Sequence, residues 1–488
     1  MDPVSRRTML GMSVTGGLLA AAEAAPGHAQ TQPVSPASGV PDIEAHRKLI
    51  EAARNGSPEM AALIERLFPK LKTARQKWEP PEARSGGIAG TATWGSTLSN
   101  DVATVWDQDF LFVTNWDQPV TIAIDDQPAT AMRQVPGTAY WFHLDRLRLG
   151  ATHNYTYRAG DRDLGYSTVA GYDMDSYPIA GAPRGTLSPM RTVTSRIYGG
   201  AMTDYWLYSN ARIDRVQGAP LMIWFDGEDH VGDQDWRGLR LQTVTDNLVH
   251  QKRVPPMVHL LIQPGRGGTP QGKQFPAQEQ DNGMRSFQYD TVSDLFGRHL
   301  LEEVLPEVGK EARLRQDGYS RGAAGHSSGG IAAFKIAWFH PDAFSRAMPS
   351  NGSFTGLQWH PERHIEGGTI FPSLIRREPH MNIRVWTSEG ANDIDVDSGG
   401  RPDLYVGGSW PLANIAMAQA LKTKAYDFHF RFGEGYHNRA QQGLDLPEAL
   451  SWLWRDYDPA KTSQTFVQEV SERRKPIYRL GIVNRDAW

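Results

Sequence analysis

Apolar positions along the chain change their period twice. After a stretch rich in Pro, Ser and Thr (30–40), residues 43–54 repeat with helical spacing. Ser57-Pro58-Glu59 then predicts a second helix, with Ser57 as N-cap, Pro58 at its first position, and Met60, Leu63 and Leu67 on one face. Pro80-Pro81 and Ser85-Gly86-Gly87 close this region. From 91 to 170 the period becomes two. Val120, Ile122 and Ile124 alternate with Thr121 and Ala123, and Tyr155 and Tyr157 alternate with Asn154, Thr156 and Arg158. Turn signals at Asp125-Asp126-Gln127-Pro128 and Pro136-Gly137 separate these runs. Short alternating strands between turns predict a small β-sandwich over 91–170.

Residues 171–190, with Pro178, Pro183 and Pro189 among three glycines, are predicted to link this sandwich to a second domain over 191–457. There the grammar is different. Uniformly apolar runs at 221–225 and 257–262 predict buried strands, and helical patterns follow at 287–305 and 331–339. A further strand is predicted at 383–386. Strands alternating with helices predict an α/β fold with a parallel sheet covered on both faces. The charged stretch 458–488 is predicted to be a surface tail.

The start of the chain follows neither grammar. Arg6-Arg7 precedes a short run of small apolar residues from Gly11 to Ala22, and the segment ends at Gly27-His28-Ala29. This is the pattern of a twin-arginine export signal over 1–29, which predicts a periplasmic or secreted protein. The run is shorter than the roughly 20 residues of a membrane span, so no span is expected in the mature chain. Residues 30–90 then form a linker and helical segment. Composition narrows the function classes. The 488 residues carry 51 Lys+Arg against 55 Asp+Glu and no cysteine. A net charge of −4 offers no basic surplus for nucleic acid. Without cysteine there are no disulfides, thiolate metal sites or thiol nucleophiles.

Gly325-His326-Ser327-Ser328-Gly329 is a G-x-S-x-G sequence, preceded by a small-residue segment (318–324) and followed by an apolar helical pattern. A serine on such a strand-to-helix turn projects its oxygen above a sheet at the positive end of a helix. Residues 318–324 have poor strand propensity, with Ser320 and Arg321 among them. A serine hydroxyl needs a base within reach, and in this fold class the chain order is serine, acid, histidine. Strand 383–386 runs into Thr387-Ser388-Glu389-Gly390-Ala391-Asn392-Asp393, where Asp393 is the first choice of acid, Asp395 the second and Glu389 the third. The four aromatics of 426–432 alternate like a strand, which leads into Gly433-Glu434-Gly435-Tyr436-His437. His437 on that loop is the predicted base, and His429 within the strand is predicted to be structural.

With these elements in place, the chain resembles the enterochelin-esterase and feruloyl-esterase group of α/β-hydrolases over roughly 195–456. The resemblance is carried by Trp224-Phe225-Asp226-Gly227, Arg285-Ser286-Phe287-Gln288-Tyr289-Asp290, the G-x-S-x-G, Gly352-Ser353-Phe354, Trp410-Pro411-Leu412-Ala413-Asn414 and Gly435-Tyr436-His437. It implies Ser327 as nucleophile and His437 as base, and an immunoglobulin-like early-set domain as the preceding sandwich. The expected oxyanion donors are the N–H of Ser328 and one from Gly227 or Glu228. Arg285 could bind a substrate carboxylate or simply pair with a nearby acid, and the sequence favours neither. No metal or cofactor is required. The expected substrate is a small-molecule or glycan ester: a sugar, phenolic or siderophore ester. An acyltransferase or a non-catalytic glycan-binding protein on the same scaffold are the alternatives, and oligomeric state is not readable from these patterns.

Other motifs carry less. Asp393, Asp395 and Asp397 alternate like a calcium loop, but the glycine comes one place late and the twelfth position is Leu404. His360 and His364 flank Pro361, which disfavours a helix that would put both on one face. Trp94, Trp106 and Trp116 are expected to pack rather than to form a sugar platform.

Overall fold

Alternation of apolar and polar residues can bury one face of a strand, and the first strands of the molecule do so. The structure, a computed structural model, describes residues 43–69, 71, 101–125, 127–214, 216–268, 280–357, 367–394, 408–433 and 435–475. The predicted export signal, Trp94, the His360/His364 pair, Asp395 and Asp397 lie outside them. Eight strands come first: β1 (Asp101–Trp106), β2 (Asp109–Asn115), β3 (Thr121–Ile124), β4 (Thr130–Ala131), β5 (Arg133–Gln134), β6 (Tyr140–Arg146), β7 (Thr152–Ala159) and β8 (Arg162–Ala170). They form two four-stranded antiparallel sheets, ordered β1-β2-β6-β5 and β4-β3-β7-β8. In β7, His153, Tyr155, Tyr157 and Ala159 are buried and the residues between them are not. Strand β2 does not alternate, because both of its faces are covered. Phe110 and Phe112 enter the core between the sheets. Leu111 and Val113 pack under the helices Ile43–Asn55 and Met60–Leu67. The second helix starts later than predicted. Its N-cap is Glu59, and Ser57 Oγ instead accepts from the Glu59 N–H (3.3 Å).

The second domain is built on a nine-stranded mixed sheet: β9 (Thr186–Leu187), β10 (Arg191–Thr194), β11 (Met202–Ser209), β12 (Leu221–Phe225), β13 (Val258–Ile262), β14 (Arg321–His326), β15 (Arg346–Ser350), β16 (Arg384–Gly390) and β17 (Asp427–Gly433). The order is β10-β11-β13-β12-β14-β15-β16-β17, with β9 paired to β11. From β13 to β17 every pairing is parallel, while β10 and β11 are antiparallel. Every residue of β12 and β13 is buried, as continuous apolar runs require when helices cover both faces. Ile223 faces one core and Met222 and Trp224 the other. The helical pattern predicted over 287–305 is broken. The helix Gln280–Asp290 ends, a turn closes with Ser293 N–H on the Thr291 carbonyl (3.0 Å), and a new helix begins at Leu295.

Strand β14 reads Arg-Gly-Ala-Ala-Gly-His, a poor strand by propensity, yet all six residues are buried. Crowding selects its small residues. A Cβ on Gly322 would lie 2.8 Å from Met222 Sδ and 3.1 Å from Arg346 Cβ. The sheet neighbours are bulky, so the central strand is small, and packing overrides propensity.

All described residues fall in one compact unit, Pro36–Trp488. The linking segment is not bare, since Asn247 Nδ2 donates to the Asp175 and Tyr177 carbonyls (both 2.7 Å). Tyr172 packs on Gly443 of the helix Arg439–Leu453. Thr152 of β7 donates to Gln441 Oε1 on the same helix (3.3 Å). The tail turns back as well, burying Phe466 against the Arg384 guanidinium (4.6 Å). Among the described residues no helix is long and apolar enough to cross a membrane.

Candidate active site

In an open parallel sheet, loops at the carboxyl ends of strands diverge where the strand order reverses, and ligands settle in that crevice. Here the chain passes from β12 outward to β13 and returns on the other side at β14. The loops after β12 and β14 therefore flank the switch point, and they carry Gly227 and Ser327.

Ser327 is the turn residue between β14 and the helix Ser328–Phe339, with φ 60° and ψ −124°. That backbone is strained for a residue with a side chain and persists only where surrounding structure enforces it. Two close approaches do so: a Cβ on Gly325 would run into the Gly329 backbone, and one on Gly330 would lie 3.0 Å from Gly352 Cα. Ser327 Oγ lies 2.9 Å from His437 Nε2, and His437 Nδ1 lies 2.6 Å from Asp393 Oδ1. His437 follows β17 and Asp393 follows β16. The two loops touch through glycines, since a Cβ on Gly390 would collide with Gly435. The sequence thus placed three residues from three loops that the structure brings into one hydrogen-bonded row. His429, the rival base, is stacked on Trp386 instead (ring centroids 4.1 Å apart, 11° between planes).

Around this row are groups that sequence reasoning missed or ranked low. Asn351, with φ 46° just after β15, donates from Nδ2 to Asp393 Oδ2 (2.6 Å) and to Glu389 Oε1 (2.9 Å). Asn414 Nδ2 donates to Glu389 Oε2 (2.6 Å), and the Gly390 N–H donates to Glu389 Oε1 (2.8 Å). Ser353 Oγ accepts from Trp410 Nε1 (3.2 Å) and lies 3.4 Å from Ser327 Oγ. The rings of Trp410 and His326 stand edge-on to His437 at 5.8 and 4.7 Å. Ser353, Trp410 and Asn414 lay within the short motifs that carried the family resemblance, which was the available signal. Nothing local in the sequence marked Asn351.

Electrostatics separates the two neighbouring acids. Burial pushes the Asp393 carboxyl up, but the His437 imidazole and its hydrogen bond, with help from Glu389, hold it below the usual aspartate range. Glu389 is pushed far the other way, by burial first and then by the Asp393 charge, so it sits as a neutral acid whose proton Asp393 accepts. Burial likewise holds His326 well below the usual histidine range, with His437, Arg439 and Arg285 adding to the effect.

This has a consequence for stability. A raised native pKa stabilises the fold below the ordinary glutamate value of 4.5, and the contribution is lost as pH rises towards the native value. Within that window the native protein holds a proton that the unfolded chain releases, a slope of about 1.4 kcal/mol per pH unit. Glu389→Gln keeps the shape without the titration. Urea unfolding at several pH values between about 5 and 8 is expected to show the variant gaining on the parent as pH rises. A difference that does not change with pH would mean that Glu389 is ionised.

The loop after β12 begins with Asp226 in left-handed conformation (φ 58°), followed by Gly227, whose Cβ would collide with the Leu261 and Ile262 backbone. Glu228 Oε2 accepts from Gln263 Nε2 (2.9 Å). The Ser328 N–H, at the first helical position, has no intrahelical acceptor. Arg285 is already engaged: Nε and Nη2 both donate to the Asp226 carboxylate at 2.7 Å. Asp226 Oδ2 is in turn the atom that a Cβ on Gly329 would meet (3.2 Å). The pair braces the loop against the serine turn. Arg285→Met is expected to destabilise the protein by about 2 kcal/mol, less than a fully enclosed pair because the guanidinium is one-third exposed. Adding Asp226→Asn should restore most of the loss in thermal melts. A variant as stable as the parent would show the pair to be incidental.

A parallel sheet presenting a strained serine, an imidazole and a carboxylate on separate carboxyl-end loops defines the α/β-hydrolase class. A family model described as "Putative esterase" matches residues 208–453, about half of the chain. The chain belongs to this esterase family. It is 23% identical over 263 residues to the iron(III) enterobactin esterase of Dickeya dadantii, covering 53% of either protein. It thus spans about half the length of that curated relative. Among solved structures it is similar to the enterochelin esterase from Shigella flexneri at 16% identity, covering 78% of this chain and 99% of that one with a TM-score of 0.47. A ferulic acid esterase is similar at 15% identity, covering 56% and 100% with a TM-score of 0.40.

Proposed function

We propose that the protein hydrolyses carboxylic esters through an acyl-enzyme on Ser327. The observation that carries this reading is the unbroken row Ser327 Oγ, His437 and Asp393, at 2.9 and 2.6 Å. His437 Nε2 takes the serine proton as Oγ attacks the ester carbonyl. Asp393 holds the Nδ1–H tautomer and stabilises the imidazolium. The Ser328 N–H and a partner from Gly227 or Glu228 donate to the oxyanion, each worth roughly 3–4 kcal/mol of barrier. His437 then protonates the leaving alcohol, and water activated by the same imidazole releases the acid. Asn351 and neutral Glu389 keep Asp393 from turning away.

The substrate class is a sugar, phenolic or siderophore ester. An alcohol in place of water makes the same intermediate an acyltransferase. The preceding sandwich is of the immunoglobulin-like early-set type, and the Arg6-Arg7 leader directs the protein across the inner membrane by twin-arginine export. Fractionation of cells expressing the full chain should place it outside the cytoplasm; retention inside would remove that step.

A fluorophosphonate probe tests the mechanism. Mass mapping is expected to find one adduct, on Ser327, and treated protein should lose activity in proportion. An unlabelled Ser327 in folded protein would overturn the reading and favour a non-catalytic glycan binder.

A further inference from the structure

A guanidinium stays charged at every physiological pH, so burying it requires a compensating partner. Arg240 is 9% exposed, at a left-handed position (φ 54°) just before the helix Leu241–His250. Its guanidinium carbon lies 3.7 Å from the Tyr172 ring centre, 4.0 Å from Trp236 and 4.7 Å from Tyr177. Nε donates to the Trp236 carbonyl (3.2 Å), while Nη1 is buried with no acceptor among the described residues. The neighbouring acid does not pair with it. Asp235 accepts from the Leu241 and Gln242 N–H groups (2.7 and 3.2 Å), and burial pushes its carboxyl up to about 7. Stacked rings and the charge of nearby Asp235 offset part of the cost of a buried cation, but no carboxylate among the described residues forms an ion pair with it.

Arg240 faces a cavity of about 410 Å³ between the sandwich, the first helix and the catalytic domain. Trp106, Tyr155 and Trp236 contribute flat apolar surface to its wall, and Thr104 and Ser167 contribute hydroxyls. We propose that this cavity is a second ligand site, separate from the serine, for a small carboxylate on an aromatic body. The carboxylate meets the unmatched Nη1 of Arg240, the ring lies among the wall's rings, and the Ser167 hydroxyl bonds polar substituents on it, while the Thr104 hydroxyl is already bonded to His46 Nδ1 (2.8 Å). Binding there needs neither Ser327 nor its chemistry, so the site stands or falls apart from the catalytic reading.

The test is a fluorescence titration of the full-length protein, because Trp106 and Trp236 report directly from the wall. Benzoate is expected to change the emission saturably. Benzamide, which has the ring without the charge, and inorganic phosphate, which has the charge without the ring, should each bind about tenfold or more weaker. Arg240→Met should weaken benzoate by about tenfold or more, and Arg240→Lys by less. Thr168→Trp fills the cavity from the sandwich wall and should abolish the response. It also decides the matter if Arg240→Met does not fold. Absence of saturation up to about 10 mM benzoate would overturn the proposal. So would equal affinity for benzamide or phosphate, or benzoate binding untouched by the folded variants.

Discussion

Ser327→Ala is expected to lower ester turnover by about 10⁴- to 10⁶-fold and to leave the fold intact. Only the hydroxyl bridges His437 to a substrate carbonyl, and the hydroxyls next to it do not replace it. Ser353 Oγ is 3.4 Å away but is already hydrogen-bonded to Trp410, and the Ser328 hydroxyl is engaged with the Asp290 carboxylate. The turn itself is held by backbone contacts. The Ser327 N–H donates to the Ser350 carbonyl (3.0 Å), and its own carbonyl accepts from Gly330 (2.8 Å) and Ser353 (3.1 Å). None of these uses the side chain, so the melting transition should move by no more than about 0.5 kcal/mol in stability. Initial rates on a short-chain aryl ester, with a parallel melt, check both halves. A folded alanine variant at the parent rate would end the catalytic reading.

Asp393→Asn is expected to cost about 10⁴ in kcat with KM little changed. The amide is the same size and still fits between Asn351 and His437, so the loss is electronic. An amide N–H turned towards His437 Nδ1 favours the tautomer with its proton on Nε2, which cannot accept from serine. The imidazolium formed during attack then also lacks its counter-charge. Glu389 loses the carboxylate that accepts its proton, and its buried hydroxyl is left against an amide. Rates and saturation curves at neutral pH check this. A drop of only a few-fold would pass the role of acid to another carboxylate, and Asp395, two residues further on in the sequence, was the second choice.

How much of this was legible follows from which forces act locally. Alternation in β7 and the continuous apolar runs of β12 and β13 report burial directly, so the small sheets and the parallel part of the large sheet were readable from period, whereas its antiparallel edge of β9, β10 and β11, partly inside the segment expected to be a linker, was not. Glycines flanking Ser327, and a histidine after an aromatic strand, were readable because a tight turn and a loop mouth restrict residue type. The rest needs neighbours. Strand β14 looks like a poor strand until Met222 and Arg346 are seen beside Gly322. Strand β2 breaks alternation because helices from earlier in the chain cover its second face. Glu389 ranked below Asp393 as the acid, and nothing along the chain says that one carboxyl would be neutral and the other charged. That division depends on Asn351, Asn414 and His437 converging from three other elements. Nothing local in the sequence marked Arg240, because two of its three aromatic neighbours, Tyr172 and Tyr177, come from more than sixty residues earlier in the chain.

His437, the proposed base, does not depend on the large sheet alone for its position. Its loop leads into a helix whose first turns touch Thr152 and Tyr172, residues of the sandwich and its trailing segment. Gln441, the partner of Thr152, also packs against Gly435 in the histidine loop. The sandwich and the histidine loop are therefore joined through one side chain, Gln441. A shift of the sandwich against this helix would reach the proposed base through that contact, which makes the sandwich part of how His437 is aligned.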